Sequence, residues 1–351
     1  MTKVAVITDT HYGARKGSKL FHDYFEKFYR DVFFPTLKKE GIDTVLHLGD
    51  AFDSRRGVEF QTLRWAKKVV FDPLKEMGAK MHLIVGNHDA YYKNSNKINS
   101  IELLLTEYDN ITKYSKATEV NVKGLDILFV PWICEENEKE TYDLIKKTTC
   151  PFAMGHLELN GFRVNRQIVM DHGHESELYS KFSKVFTGHY HTRSDDGTIY
   201  YIGNPYEMYW TDVNDSRGFT ILDLETLEHS YVNNPYQLFH NIYYDDTNHQ
   251  MFDTTPYTGK IVKVIVKQKT DVKQFEKFID KLYASGVADL KIVENFEFGG
   301  WYNEKDNVEG IDTEDTLSIL NRYIEESESS LDKSKIQKVI RDVYQEACEL
   351  V

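Results

Sequence analysis

The first ninety residues predict an α/β fold built on parallel strands. Three short apolar runs, at Val4–Ile7, Val45–Leu48 and Met81–Val85, alternate with two longer segments in which apolar residues recur at helical spacing. This alternation favours parallel pairing through crossover helices. Each run also ends in glycine, carboxylate, amide or imidazole residues, and open α/β sheets place their ligand sites at the carboxyl ends of strands.

The helices between these strands follow from apolar periodicity. Lys19–Glu40 is predicted to be helical, with Pro35 kinking or ending its regular part. Glu59–Met77 is predicted to be a second helix, interrupted near Pro73. Ile98–Tyr108 is predicted to be a shorter helix with one apolar stripe.

The middle of the chain is predicted to continue with strands. We expect a hairpin at Thr118–Val130 that turns at Lys123–Gly124, followed by a helix at Glu138–Thr148. A loop-like insertion is expected at Asn160–Glu175, and two further strands at Thr198–Gly203 and Gly218–Leu224. Two more apolar runs in this region, ending at His156 and at His189, resemble the first three.

Composition shifts divide the chain into four parts. Residues 1–235 are predicted to form the first domain, and residues 236–298 a small α+β unit with a helix at Val272–Ala284. Residues 299–312 are a linker rich in Gly, Asn, Asp and Glu, and residues 313–351 carry two amphipathic helices. The helices of this tail are expected to bury their stripes either on a partner or on the body of the protein.

Composition and charge narrow the class of protein. The net charge of −13 argues against a nucleic-acid binder with a broad basic face, although bound divalent cations would change the field that a phosphate meets. Three widely spaced cysteines indicate reduced thiols. The chain begins with a strand and has no run of about 20 apolar residues, so we expect a cytoplasmic protein with no membrane span.

Five strand ends carry the side chains of a metal site. The candidate donors are Asp9, His11, Asp50, Asn87, His156, His189 and His191. Carboxylate oxygen combined with imidazole nitrogen suits Mn²⁺, Fe or Zn²⁺ better than Ca²⁺. Seven donors exceed one tetrahedral ion but suffice for two ions bridged by a carboxylate, an arrangement used for in-line attack at phosphorus.

Each donor alone also has an ordinary explanation. An Asp or Asn after a strand usually forms a turn or caps a helix, and a single loop histidine is usually solvated. The recurrence of such residues at five successive strand ends favours the metal site over these separate explanations.

The motifs DTHYG, GDAFD, GNHD, GH and GHYH, in that order, resemble the calcineurin-like metallophosphoesterase superfamily. Within it, PWICEEN, GHLELNGF, YIGNP and NDSRGF are similar to the SbcD-type nuclease subunits of double-strand-break repair, in their phage form. The resemblance implies two β-sheets packed face to face and flanked by helices, followed by a capping domain and a helical tail.

The same resemblance implies a role for each site residue. One Mn²⁺ would be held by Asp9, His11, Asp50 and His191, and the other by Asp50, Asn87, His156 and His189, with Mg²⁺, Fe or Zn²⁺ as alternatives. His88 would protonate the leaving 3′-oxygen, and Asp89 could orient it. Some members carry a phosphate-contacting histidine where this chain has Asp53, so Asp53 is expected instead to be a partner of a ligand histidine.

The resemblance also implies substrate and partners. The chain would be a Mn²⁺-dependent DNA exonuclease and endonuclease, acting as a homodimer through Glu59–Met77 and Ile98–Tyr108. Its tail would bind an SbcC-type ATPase, in the host cytoplasm if the gene is viral. An ordinary core-facing stripe is the alternative for Ile98–Tyr108. The rival functions are a protein phosphatase or small-molecule phosphodiesterase, and a non-catalytic adaptor for the ATPase.

Overall fold

The computed structural model describes residues 2–165, 168–171, 173–294, 324 and 333–350. Numbered in chain order, its strands are β1 (Lys3–Ile7), β2 (Thr44–His47), β3 (Lys80–Ile84), β4 (Ala90–Tyr92), β5 (Ser95–Asn99), β6 (Ile111–Tyr114), β7 (Thr118–Val122), β8 (Leu125–Val130), β9 (Phe152–His156), β10 (Lys184–Gly188), β11 (Ser194–Asp195), β12 (Ile199–Tyr201), β13 (Gly218–Asp223), β14 (His229–Asn233), β15 (Phe239–Asp245), β16 (Ile261–Gln268) and β17 (Asp289–Glu294).

The helices are numbered in the same way. Among the described residues they are α1 (Lys19–Phe28, π-helical Tyr29–Phe33 and Phe34–Glu40), α2 (Phe60–Ala66, π-helical Lys67–Phe71 and Asp72–Glu76), α3 (Ser100–Leu104), α4 (Glu138–Lys147), α5 (Val272–Ala284) and α6 (Lys333–Leu350), besides a single turn at Ala14–Gly17 in which Arg15 and Lys16 are left-handed. Short 3₁₀ turns occupy Ser176–Tyr179, Trp210–Asp212 and Thr255–Tyr257.

Two six-stranded sheets form the main body. The first has the order β14-β13-β1-β2-β3-β6 and the second β11-β12-β10-β9-β8-β7. The pairs β1–β2, β2–β3 and β3–β6 are parallel, which confirms the parallel pairing predicted from the alternation. The predicted hairpin β7–β8 is also present, and Lys123 and Gly124 at its turn both have positive φ, as a tight two-residue turn requires.

Alternation along each strand separates three apolar layers. Val4 and Val6 of β1 face a core that also contains Phe152 and Phe186 from the second sheet, so the two sheets pack face to face. Ala5, on the other face of β1, packs in a layer with apolar residues of α1 and α2. Residues of α4 and of the segment 157–182 cover the outer face of the second sheet. The double-sheet sandwich flanked by helices is therefore confirmed.

The regular α-helical part of each long helix ends shortly before its proline, as predicted, but the chain then continues through a π-helical turn into a further α-helical stretch. A π-helical turn precedes each proline, in which Phe34 N–H donates to Tyr29 and Asp72 N–H donates to Lys67, five residues back. The wider turn accommodates a residue that lacks an N–H and whose ring would clash with a regular α-helical turn.

The predicted helix Ile98–Tyr108 is wrong at both ends, since the observed helix runs only from Ser100 to Leu104. Ile98 belongs to β5, and α3 begins at Ser100 because the side chain of Asn99 caps it by accepting a hydrogen bond from Glu102 N–H. The apolar stripe of this segment is buried in the core beside the first sheet, as the alternative interpretation expected. Leu103 points away from that core and is 64% exposed.

The small C-terminal sheet has one strand more than the sequence indicated. β15 pairs in parallel with β16, which pairs in parallel with β17, and α5 packs on one face to form a separate core. The strand β15 was missed because its sequence mixes polar and aromatic residues without a clear apolar run.

Ile324 and residues 333–350 belong to a unit separate from residues 1–294. The linker at 299–312 and the first tail helix lie outside the described residues, apart from Ile324. The second tail helix is confirmed as α6, and its apolar stripe includes Val339 and Val343, each 59% exposed.

Candidate metal centre

Five strands from both sheets bring their carboxyl ends to one edge of the sandwich. Side chains immediately after β1, β2, β3, β9 and β10 meet there. All seven predicted donors lie within one contact network, namely Asp9, His11, Asp50, Asn87, His156, His189 and His191. The juxtaposition predicted from the sequence is thus present in the fold.

One group of donors surrounds Nε2 of His11. This atom lies 3.2 Å from Nε2 of His191, 3.7 Å from Oδ2 of Asp50 and 4.0 Å from Oδ1 of Asp9. Nε2 of His191 is also 4.0 Å from Oδ1 of Asp9. Nitrogen and oxygen atoms at these separations could bind one cation between them.

A second group of donors surrounds Oδ1 of Asn87. This oxygen lies 2.8 Å from Nε2 of His156 and 3.0 Å from Nδ1 of His189. Nε2 of His156 is in turn 3.3 Å from Oδ2 of Asp50. The same carboxylate oxygen of Asp50 therefore lies within 4 Å of a histidine nitrogen in each group.

The backbone at the site adopts conformations that side chains rarely take. Asp9, His11, Asp50 and His189 have φ of 50°, 41°, 53° and 86°, in the left-handed region. Each such residue costs on the order of 1–3 kcal/mol and persists only where the surrounding structure enforces it. These turns aim side chains from the strand ends toward a common point, so the strain coincides with the site.

Glycines allow the loops to approach each other closely. A Cβ on Gly86 would overlap the carboxylate of Asp50, and a Cβ on Gly188 would overlap Thr8 and lie 2.8 Å from Oδ2 of Asp9. Both are glycines of the recurring Gly-Asn and Gly-His pairs. Their lack of a side chain leaves room for the carboxylates at the centre.

Burial and the charges of neighbouring side chains shift the pKa values of the site residues. Burial raises the pKa of Asp9, whereas the imidazoles of His156 and His88 outweigh burial and hold the pKa of Asp50 well below its usual range. Burial acts to lower the pKa of His11 and His156, but neighbouring carboxylates outweigh it and raise both to about 9. Buried acids and imidazoles of this kind fit a cation, which would replace the protons.

His88 is oriented differently from the prediction. Its Nδ1 donates to the backbone carbonyl of Asp53 at 2.7 Å. Asp89, the predicted orienting residue, instead accepts hydrogen bonds from the backbone N–H groups of Gly86, Ala51 and Phe52 and from the hydroxyl of Ser100. Asp89 therefore joins two loops of the site, and it lies too deep (1% exposed) to meet a substrate.

Asp53 lies beside His11, as expected. Its Oδ1 is 3.2 Å from Nδ1 of His11, on the side of the ring opposite the donor group, but the two atoms do not have hydrogen-bond geometry. A carboxylate that bonded to this nitrogen would fix the tautomer and the orientation of His11.

Sequence reasoning missed the role of Arg217. Its buried guanidinium donates to the carbonyl of His191 and to Asn204, and it pairs with Asp212 and Asp215 at 3.0 Å each. Arg217 thereby holds the backbone that carries His191. The segment NDSRGF was noticed for its resemblance to known nucleases, but no local pattern in it indicates which side chain reaches the site.

Comparison with known proteins defines the class first. The family model for calcineurin-like phosphoesterases matches residues 2–193, more than half of the chain. The chain therefore belongs to the calcineurin-like phosphoesterases and is a metal-dependent phosphodiesterase hydrolase.

A particular relative follows from the wider match. The chain is 33% identical over 288 residues to exonuclease subunit 1 of Enterobacteria phage T4, covering 82% of each protein. The resemblance to phage nuclease subunits is thus confirmed.

Two solved structures are distantly similar. A novel archaeal phosphodiesterase has a TM-score of 0.34 and 13% identity, with 66% of this chain and 99% of that one covered. A dimetal phosphatase from Danio rerio has a TM-score of 0.38 and 13% identity, with 63% of this chain and 92% of that one covered.

None of the helices among the described residues has the length and apolar character that a membrane span requires.

Proposed function

We propose that this chain is the nuclease subunit of a complex that processes DNA ends, and that it hydrolyses phosphodiester bonds with two Mn²⁺ ions. One observation carries the proposal. The identity with exonuclease subunit 1 extends over 288 residues, well beyond the 2–193 span of the phosphoesterase family match. A phosphatase that shared only the catalytic domain would not resemble that nuclease subunit through its C-terminal part as well.

The proposed ligands follow the two groups of donors. Asp9, His11, Asp50 and His191 would hold one ion, and Asp50, Asn87, His156 and His189 the other. The shared position of Asp50 Oδ2, 3.7 Å from His11 and 3.3 Å from His156, supports its role as the bridge. Mg²⁺, Fe and Zn²⁺ suit the same oxygen and nitrogen donors.

The residues of the chain would act on substrate as follows. When bound, the two cations supply an activated nucleophile and stabilise the charge that develops on the phosphoryl group. His88, with Nδ1 bonded to the Asp53 carbonyl, would present Nε2 to the leaving 3′-oxygen and donate a proton to it. Asp89 would hold the loop that carries Asp50 against the loop that carries His88, and it would not contact substrate.

Two observations support the proposed partners: exposed apolar side chains of this chain, and the name of the phage T4 relative. That relative is named a subunit, which supports a larger assembly. Val339 and Val343 of α6 are 59% exposed, which supports docking of the tail on an SbcC-type ATPase. Phe60 (91% exposed) and Leu103 (64%), on α2 and α3, support a homodimer contact, in place of the buried stripe of α3. The location would be the cytoplasm of an infected host cell.

A nuclease assay with matched variants tests the proposal. The purified full chain with Mn²⁺ should degrade linear duplex DNA and act poorly on a phosphomonoester. His88→Ala should slow DNA cleavage by about 10²–10⁴-fold, because general-acid help is lost, while Mn²⁺ binding persists. Lys68→Ala, at an exposed position of α2, serves as the control.

The rival functions predict different results. Activity on the monoester alone would replace the nuclease with a phosphatase. An unchanged cleavage rate in His88→Ala would support a non-catalytic adaptor whose apparent activity comes from elsewhere.

A further inference from the structure

Two hydrogen-bond donors on loops that border the metal centre have no acceptor among the described residues. Nε1 of Trp132 and Nη1 of Arg55 are buried and have no hydrogen-bond partner among the residues that the structure describes. An unpaired buried donor costs about 1–3 kcal/mol, and a charged one costs more. Donors of this kind, placed at a reaction centre, indicate a group that arrives with the substrate.

The indole of Trp132 is held beside two proposed ligands. Its ring centroid lies 5.3 Å from that of His189 and 6.3 Å from that of His156. The Trp132 backbone is fixed on both sides, because its N–H donates to Val85 at 2.8 Å and its carbonyl accepts from Asn96 at 2.8 Å and from Asn137 at 3.0 Å. The indole N–H is therefore positioned before any ligand binds.

Arg55 belongs to a second loop that borders the centre. It lies two residues after Asp53, whose carbonyl binds His88 and whose Oδ1 lies 3.2 Å from Nδ1 of His11. The neighbouring residues Ser54 and Arg56 are exposed, whereas Nη1 of Arg55 is buried, so the guanidinium is turned into the protein rather than into solvent.

We infer that Arg55 and Trp132 donate hydrogen bonds to oxygens of the phosphoryl group that is bound at the metal centre. The inference deepens the proposed function and rests on it. A phosphoryl group carries several acceptor oxygens and negative charge, so one such group can satisfy both a guanidinium and an indole N–H. Trp132 and Arg55 would then be substrate-binding residues, supplied by the PWICEEN and GDAFDSRR segments.

Inorganic phosphate is the probe for this subsite. Calorimetric titration of phosphate into the Mn²⁺-loaded full chain gives its dissociation constant, and hydrolysis of bis(p-nitrophenyl) phosphate gives KM. Arg55→Ala should raise both constants by about tenfold, because a charge-assisted hydrogen bond is lost. Trp132→Phe keeps a ring but removes the N–H, and should raise both by about threefold.

Three further measurements separate binding from a structural role. Arg55→Lys should recover part of the phosphate affinity, since it restores the charge. Arg56→Ala, the exposed neighbour, should leave both constants unchanged. Mn²⁺ affinity, measured by electron paramagnetic resonance of free Mn²⁺, should be the same in all variants.

Two results would overturn the inference. The first is unchanged phosphate affinity and KM in both Arg55→Ala and Trp132→Phe. The second is a fall in Mn²⁺ affinity that parallels the phosphate effect, because the residues would then act through His189. A wild-type chain that cleaves the small diester but not DNA would refute the nuclease proposal. The effects of the variants on phosphate affinity and on KM for the small diester would still test the inference about Arg55 and Trp132.

Discussion

The same strands build two regions with opposite properties. Between the sheets, Val4 and Val6 of β1 and Phe186 of β10 are fully buried among apolar neighbours. A few residues further along the same strands, Asp9 and His189 leave the pleat with positive φ and face other polar groups. The interior stabilises the fold by removing apolar surface from water, whereas the edge keeps buried carboxylates and imidazoles that cost stability unless they pair with each other or with a cation.

This difference shows how stability and activity are divided. The sandwich must be stable enough to hold four strained residues at its edge. The charged groups at that edge can then lack a cation without unfolding the chain. Changes at the edge should therefore alter metal binding and catalysis, and changes in the interior should alter unfolding. The following predictions test that division.

The largest effect is expected at the bridging position. Asp50→Asn keeps an oxygen for the backbone N–H of His88 but removes the charge that faces both groups of donors. We expect activity to fall by about 10³-fold or more, because both cations lose a ligand. The free energy of unfolding of the metal-free chain, measured in urea above pH 9, should change little, because His11 and His156 have then lost the charges that pair with Asp50. A clear loss of stability together with retained activity would contradict the division.

The interior should respond in the opposite way. Leu222 is fully buried between the sheets, on β13, which carries none of the proposed ligands. Leu222→Ala should lower the free energy of unfolding by about 2–5 kcal/mol through the lost contacts and the remaining cavity. Mn²⁺ affinity and kcat per folded molecule should stay near the wild-type values. A loss of metal affinity comparable with that of Asp50→Asn would show that the two regions are not separable.

The third prediction concerns pH. In the metal-free protein the pKa values of His11 and His156 are raised to about 9, so both are protonated at pH 7 and must lose their protons when a cation binds. Mn²⁺ affinity should therefore rise by about tenfold or more between pH 7 and pH 8. Calorimetry in buffers of different ionisation enthalpy should detect the released protons. Binding without proton release would contradict the prediction.

The same pKa values predict whether the stability of the metal-free chain rises or falls with pH. A histidine whose folded-state pKa is raised stabilises the fold fully below about 6.5, the pKa of the unfolded chain, and this contribution is lost as pH rises toward 9. The metal-free chain should thus lose stability over the range in which Mn²⁺ affinity grows. Urea titrations at pH 6.5, 7.5 and 8.5 with a chelator would measure the trend.

The smallest effect is expected from the residue behind His191. Arg217→Lys retains a positive charge but cannot reach the His191 carbonyl, Asn204 and both aspartates at once. We expect Mn²⁺ affinity to fall by about tenfold, as for other residues that orient a ligand. Arg64→Lys, at an exposed position of α2, is the matched control. Equal Mn²⁺ affinity in wild type and Arg217→Lys would mean that His191 is placed without Arg217.

Several features could be predicted because they depend on short stretches of sequence. The parallel order β1-β2-β3, the hairpin at Lys123–Gly124 and helix α5 follow from alternation, turn chemistry and helical spacing within a few residues. The π-turns before Pro35 and Pro73 could not be predicted, because the packing of α1 and α2 in the core decides whether the chain bends or adjusts. The start of α3 was misplaced for a similar reason, since pairing of β4 with β5 overrides the helical spacing at Ile98.

The sequence by itself determined which residue types end the five strands, and this was enough to identify the family and to nominate the seven candidate donors. The tertiary structure alone decided how those donors share space, since contacts such as His11 with His191 join residues 180 apart in the chain. It also decided that the Asp53 carbonyl, rather than Asp89, orients His88, and that Arg217 supports His191. Donor identity is a local property of a turn, whereas orientation depends on hydrogen bonds between loops that meet only when both sheets have packed.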